Sequence, residues 1–539
     1  MSASLSTPGM TGGFCSSEHD GVVMRTVELD DHPLTLADVH AVARKSAQVS
    51  VSPLILSRLQ LARQVVMKLA TSGESIYGLT SALGANTGKR LEAVDASTAG
   101  NTAAPPASDA LAAYQLNAVR ARSVGIGPPF ASDVVRAMMF ARVAGMRIGG
   151  SGISTPVFEA LVAMLNAGVH PIVPKFGSIS VADLAPLSAL ALPLLGDGRA
   201  EFRGVEQSGA GAMAGAGIAL PALGPKDGLS LISSNAGTVG AAAMMLVDVS
   251  NAFAALEHAA ALSCEGFRAN LSPLDPRMQQ ARPAPGQTEA AERLSALLAG
   301  SALWQPGSAR RVQDPLSFRC IAQVHGAALH SWHECRTQVE LELNSAADSP
   351  LLLDSGEMLS NGNFHIPALA IAFEALGLAL TQCAAMSVER SVKLLSPSMT
   401  GLPLHLTLHG PAHSGFATVQ KTLIALYNKM RHLANPCCLD FLPVSERIED
   451  HATMAMNVID KTSAMIEPLH YLAAIEALIG AQAVDLRDAA LPVASLGRGA
   501  SALYILLREQ VPLLDHDRPI GPDIETAAKV LRLVVSDTQ

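Results

Sequence analysis

The 539-residue sequence predicts a mainly α protein: a long central helical bundle with a smaller mixed N-terminal domain. Three observations carry that prediction. Ala, Leu and Met, all strong helix formers, dominate the chain, and alternating Val/Ile/Thr runs are scarce. Apolar residues make up 49% and charged residues 16%, which excludes a disordered chain. Beyond residue 227 the helical runs lengthen to about 25–40 residues, or roughly 40–60 Å at 1.5 Å per residue.

Residues 1–40 read as a flexible tail, because the Ser/Gly-rich start has no positively charged segment followed by an apolar run. Residues 41–226 read as an N-terminal domain carrying active-site loops. Helices are predicted there over 57–70, with Leu61, Val65, Val66 and Leu69 at helical spacing, and over 109–123, 132–144 and 155–166. Gly-rich irregular stretches at 78–88, 125–129, 149–152 and 171–180 separate them. Residues 227–539 read as the bundle and C-terminal helices, with runs at 237–262, 324–343, 368–395, 417–433 and 448–486 and surface loops at 282–287 and 494–500. Helices apolar around so much of their circumference need neighbours on several sides, so a homo-oligomer is expected.

Several function classes recede on composition. With 38 Lys+Arg against 47 Asp+Glu, the net charge of −9 argues against nucleic acid as a partner. Seven cysteines without C-x-x-C spacing argue against a disulfide scaffold or zinc ribbon and fit the cytoplasm. The most apolar window, 367–386, contains Glu374, where a lipid-exposed charge would cost roughly 2.5–3.5 kcal/mol; a buried helix rather than a membrane span is expected. No His/Asp/Glu group has metal-ligand spacing, and Gly149-Gly150-Ser151-Gly152 lacks the lysine of a phosphate loop. His365 and His451 read as core histidines.

Seven segments, in order, carry a resemblance. They are Ile76-Tyr77-Gly78-Leu79-Thr80; Tyr114-Gln115-Leu116-Asn117 with Gly125-Ile126-Gly127; Asp183-Leu184-Ala185-Pro186-Leu187; Gln313-Asp314-Pro315 with Arg319-Cys320; Asn344 to Pro350; Asn361-Gly362-Asn363-Phe364-His365; and Glu449-Asp450-His451. Together they resemble the aromatic amino acid ammonia-lyase family of histidine and phenylalanine ammonia-lyases. The resemblance implies a histidine ammonia-lyase-like fold, a homotetramer and sites built from several chains. It also implies roles: Tyr77 as general base, Arg319 as carboxylate anchor, Glu449 against an imidazole, and Asn117 and Gln313 as substrate-binding residues. Lys393, among Val392, Leu394 and Leu395, stands where relatives have an apolar residue. It is a candidate for stabilising negative charge, with a snorkelling or interface lysine as the alternative.

The departures are equally specific. The family forms an electrophilic methylidene-imidazolone from an internal Ala-Ser-Gly, and this chain has Ser180-Val181-Ala182 opposite that triad. Val181 has no hydroxyl to eliminate, and Ala182 replaces the glycine whose nitrogen attacks, where a Cβ hinders close approach. Leu316 and Ser233 replace a family tyrosine and asparagine that act with the group. No prosthetic group, and no other cofactor or metal, is therefore expected.

Such a pattern resembles the family's exceptional branch, the ergothionase type. There a quaternary ammonium, which has no lone pair for an electrophile to meet, leaves as neutral trimethylamine. The expected reaction is β-elimination from a histidine-type betaine, ergothioneine to thiourocanate, in which Tyr77 removes the β-proton. Two alternatives stay open: a lyase or isomerase on another imidazole or aryl amino acid derivative, and a non-catalytic helical homologue acting in regulation or assembly.

Overall fold

The computed structural model describes residues 25–87, 89–91, 107–487 and 495–536. Part of the expected tail is regular structure. Strand β1 (Thr26–Leu29) pairs in parallel with β2 (Gln48–Val51), and helix α1 (Leu36–Arg44) lies between them. Leu29 and Val39 are fully buried, so apolar side chains hold this part of the tail to the body; residues 1–24 lie outside the described set. Helix α2 (Pro53–Ala70) opens on Ser52, whose hydroxyl accepts from the Ile55 amide, with proline at its first position. After α3 (Ala107–Arg122), the stretch expected to be irregular is strand β3 (Ile126–Pro129). Its partner is β5 (Pro174–Phe176), across α4 (Ser132–Met146), α5 (Thr155–Ala167) and β4 (Val169–Pro171). Pairing across the sheet decides this strand, which its own Gly and Pro residues do not signal. Helix α6 (Leu184–Ala191) precedes β6 (Arg199–Phe202) and β7 (Val205–Ser208), which with β4 form an antiparallel sheet in the order β4-β6-β7. Helices α7 (Gly209–Gly215) and α8 (Asp227–Ile232) lead into the bundle.

The bundle is built on α9 (Ala236–Phe267), α13 (Ile321–Leu343), α14 (Pro367–Leu394) and the pair α17 (Ala455–Ser463) and α18 (Ile466–Leu486). The shorter α10 (Pro276–Ala281), α11 (Gln287–Leu297) and α12 (Leu316–Arg319) bridge α9 to α13, with α15 (Pro397–Thr400) and α16 (Val419–Leu433) following α14. Helices α19 (Arg498–Gln510) and α20 (Gly521–Ser536) close the chain; α19 starts inside a stretch expected to be loop. The expected helix 448–486 is split: residues 448–454 are irregular, and a turn around residues 464 and 465 separates α17 from α18.

Helices α9 and α18 run side by side in the same direction, because small residues let their backbones touch. A Cβ on Gly266 would lie 2.8 Å from the Ala483 Cβ and 2.9 Å from the Gly480 carbonyl oxygen. The α17–α18 and α14 stretches, with the α8–α9 stretch, are long and apolar enough to cross a membrane by length and composition. Within the fold, Glu374 on α14 is buried against Lys461 and accepts from the Cys437 (2.6 Å) and Cys438 (3.1 Å) amides. The main apolar core runs from Val27 to Val535 across residue 227, and a smaller cluster of Val66, Ile76, Leu79 and Leu352 lies beside the Tyr77 loop.

Candidate active site

Two groups of the sequence-predicted residues form, at opposite ends of α9. The first surrounds residues 178–183. Asp183 is fully buried; its carboxylate accepts from the Thr238 amide (2.6 Å), the Thr238 hydroxyl (2.9 Å) and Ser178 (2.8 Å). Burial pushes its pKa up against those bonds. Ser180 hydrogen-bonds Thr238 through its hydroxyl (3.1 Å) and accepts from the Met456 amide (2.7 Å). The first turns of α6, α9 and α17 thus converge on one short segment, where their N-terminal partial charges add. Ser180, Ala182 and Asp183 all have left-handed φ (55°, 59° and 41°). This glycine-like backbone costs roughly 1–3 kcal/mol per residue. Val181 is half-buried.

The Tyr77 loop is tied to the same end. Gln115 on α3 donates to the Gly78 carbonyl (3.0 Å) and accepts from the Leu229 amide of α8 (3.1 Å). Just past the other end of α8, Ser234 donates to the Ala182 carbonyl (3.3 Å). Gly78 is required here: at φ 68° its Cβ would lie 2.3 Å from Leu229. The half-buried Tyr77 hydroxyl oxygen accepts from the Gly84 amide (3.0 Å), a donor that supports negative charge on that oxygen. Asn117, on α3, is exposed. Glu449 sits in the irregular segment before α17, bridged to Val444 and accepting from the Ser445 hydroxyl (2.9 Å). That segment reaches the first group through Met454, whose amide donates to the Ile179 carbonyl (3.2 Å).

The second group contains Gln313, Arg319 and Lys393. Arg319 Nη1 donates to Gln313 Oε1 (2.7 Å). Phe318 stacks on Phe267 at the C-terminal end of α9 (centroids 4.1 Å apart), and Asp314 accepts from the Asn270 amide (2.6 Å). Lys393, near the end of α14, pairs with Glu389 one turn earlier, and its side chain is 21% exposed. Its neighbour Arg390 donates to the Ser317 carbonyl (3.3 Å), which places Lys393 at the Arg319 end. Thr238 and Phe267 are 29 residues apart on one helix, so about 40 Å separates the two groups within a chain.

Sequence reasoning did not find the Thr238, Met456 and Gln115 contacts, because each depends on which helix termini meet. It also read His365 and His451 as core residues. They lie instead against one another beside the Glu449 segment (Nε2 to Nδ1 2.7 Å), with Phe441 5.0 Å from His451.

Residues 34–509 match the model of the family described as aromatic amino acid lyase. The chain is also 36% identical over 520 residues to a histidine ammonia-lyase of Anaeromyxobacter dehalogenans, covering 94% of this chain and 99% of that one. This chain belongs to the aromatic amino acid lyase family. The lyase is similar in structure to ergothionase from Treponema denticola, solved in complex with desmethyl-ergothioneine sulfonic acid (TM-score 0.88, 33% identity, covering 94% of this chain and 99% of that one). It is also similar to histidine ammonia-lyase from Trypanosoma cruzi (TM-score 0.82, 29% identity, 95% of each chain). It is therefore a carbon–nitrogen lyase of ammonia-lyase type, with a histidine ammonia-lyase-like fold.

Proposed function

We propose that this lyase eliminates trimethylamine from a histidine-type trimethylammonium betaine, converting ergothioneine to thiourocanate, without a methylidene-imidazolone. One observation carries the reading: at the focus of three helix N-termini, where the family builds its electrophile, the chain has Val181, with no hydroxyl to lose. Ala182 keeps the left-handed backbone of a glycine but adds a Cβ beside the nitrogen that would attack. These residues do not fit the prosthetic group, and no step is routed through it. The likeness to ergothionase supports the same reading.

The chain's own residues supply the chemistry. Arg319 holds the carboxylate through its guanidinium fork, and Gln313 steadies that fork. Glu449 accepts from the thioimidazole N–H, and Asn117 borders the same side of the site. The Tyr77 oxygen takes the β-proton. As that C–H bond breaks, its electron pair forms the Cα–Cβ double bond. The Cα–N bond cleaves, and its pair leaves with nitrogen as neutral trimethylamine. Lys393 stabilises negative charge growing on the thioimidazole.

The two groups cannot meet within one chain, so the site is proposed to join Tyr77 and Glu449 of one protomer to Arg319 and Lys393 of another, in a homotetramer. Exposed apolar residues on α14, among them Ile371 (62%) and Leu378 (51%), suit such burial. The unpaired cysteines among the described residues suit the cytoplasm, and no nucleic-acid or membrane partner is proposed.

Purified protein incubated separately with ergothioneine and histidine tests the reading, by the red-shifted absorbance of the conjugated thioimidazole acrylate. Product from ergothioneine alone is expected, with an intact mass equal to the sequence mass. Urocanate from histidine, or a mass short by two waters, would overturn it.

A further inference from the structure

The fold gathers three histidines and an aspartate far apart in sequence. His409 and His413 lie in the segment after α15, and Asp515 and His516 lie in the connection between α19 and α20. His409 Nε2 is 2.9 Å from Asp515 Oδ1, His516 Nε2 is 3.6 Å from Asp515 Oδ2, and His516 Nδ1 is 3.3 Å from His413 Nε2. The His409 and His516 rings are nearly parallel with centroids 4.4 Å apart, and His413 lies within 5.3 Å of both. One ligand atom each from His409, Asp515 and His516, all three exposed, lies within 4.8 Å of the others. The Nδ1 atom of His413 is buried with no hydrogen-bond partner.

Hydrogen bonding explains this cluster poorly. Each neutral imidazole offers one donor and one acceptor, yet His413 leaves a buried nitrogen unmet while its other nitrogen faces a third histidine. A divalent cation would replace the close nitrogen–nitrogen contact between His413 Nε2 and His516, because imidazole nitrogens and one carboxylate are the donors that zinc-like ions take. Tetrahedral zinc with bonds of about 2.0–2.1 Å needs ligand atoms about 3.3 Å apart, and the observed contacts are 2.9 Å (His409 to Asp515), 3.6 Å (His516 to Asp515) and 3.3 Å (His413 to His516). The backbone is already in place: Asp517 accepts from the Ser414 (2.7 Å) and Gly415 (2.9 Å) amides, locking the two segments together without help from an ion.

We propose that His409, His413, Asp515 and His516 form a binding site for a divalent transition-metal ion of the zinc class. It lies outside the proposed catalytic groups and fastens the α19–α20 connection to the loop after α15. Neither the family reading nor the betaine substrate is needed for it.

Calorimetric titration of the metal-stripped full chain with Zn²⁺ tests the proposal, with Co²⁺ as the visible reporter. One tight equivalent per chain is expected, with Co²⁺ bands typical of a four-coordinate N/O site. His409→Ala and His516→Ala should each weaken binding by more than the roughly 10–100-fold that loss of an outer partner costs. Circular dichroism of the metal-stripped variants should match the wild type, which separates lost ligands from lost folding. Binding unchanged in both variants, or lost only in His365→Ala or His451→Ala, would refute the assignment, as would no tight equivalent at all.

Discussion

Complementation between two inactive variants tests the shared site most directly. Within a protomer, Tyr77 is tied through Gln115 and α8 to the end of α9 at Thr238, and Arg319 is tied through Phe318 to the other end at Phe267. The 32-residue helix between them is buried along most of its length and cannot fold back. In the proposed site a second chain bridges that distance of about 40 Å. Tyr77→Phe removes the proposed base and Arg319→Ala the proposed anchor, so each homogeneous variant should be inactive. Co-expressed in equal amounts and mixed at random, half the protomers retain each residue. A site drawing Tyr77 and Arg319 from different protomers is intact with a chance of about one quarter. Ergothioneine turnover by the co-purified hybrid should reach about a quarter of wild type per site. Variants mixed after folding, without subunit exchange, should stay silent. A hybrid no more active than its parents would refute the two-chain site, provided wild-type protein turns over in the same assay.

Other consequences concern binding and stability. Tyr77→Phe should abolish turnover while leaving ergothioneine affinity within a few-fold, whereas Arg319→Ala should weaken binding; calorimetry separates the two. Glu476→Gln breaks a fully buried pair with Arg390 (2.5 Å and 2.9 Å), and denaturant unfolding should show a loss of about 3–5 kcal/mol. Lys226 is fully buried, donating to the Ser151 carbonyl (2.6 Å), and burial pushes its pKa from 10.5 down to about 8. The unfolded chain then holds the extra proton between about pH 8 and 10.5, so this group makes stability rise with pH in that window, by about 3 kcal/mol in all, and leaves it flat below. Lys226→Met should remove that slope relative to wild type in unfolding series at pH 7, 8.5 and 10. Gly240→Val would drive a Cβ to 2.4 Å from the Met138 amide nitrogen and should lower stability by about 1–3 kcal/mol or more by the same measurement.

Much of this was legible in the chain itself. Local periodicity placed most of the helices to within a few residues, since that signal needs no neighbour. Motif order revealed the family, and the missing hydroxyl at Val181 is a property of sequence alone. Local signals failed where pairing or packing decides: β3 forms because β5 lies beside it, and Glu449 is irregular because its segment bends to present Met454 to Ile179.

What the chain dictated by itself is therefore the inventory: long apolar helices, a tyrosine loop, an arginine after Gln-Asp-Pro, and a valine at position 181. Only the tertiary structure decided which of these share an end of the molecule. Helix direction and the close contacts of Gly266 and Gly480 set which termini converge, bringing α6, α9 and α17 onto Ser180 and sending Arg319 to the far end. Periodicity reports which face of a helix is buried; where its ends lie is fixed by the helices packed against it.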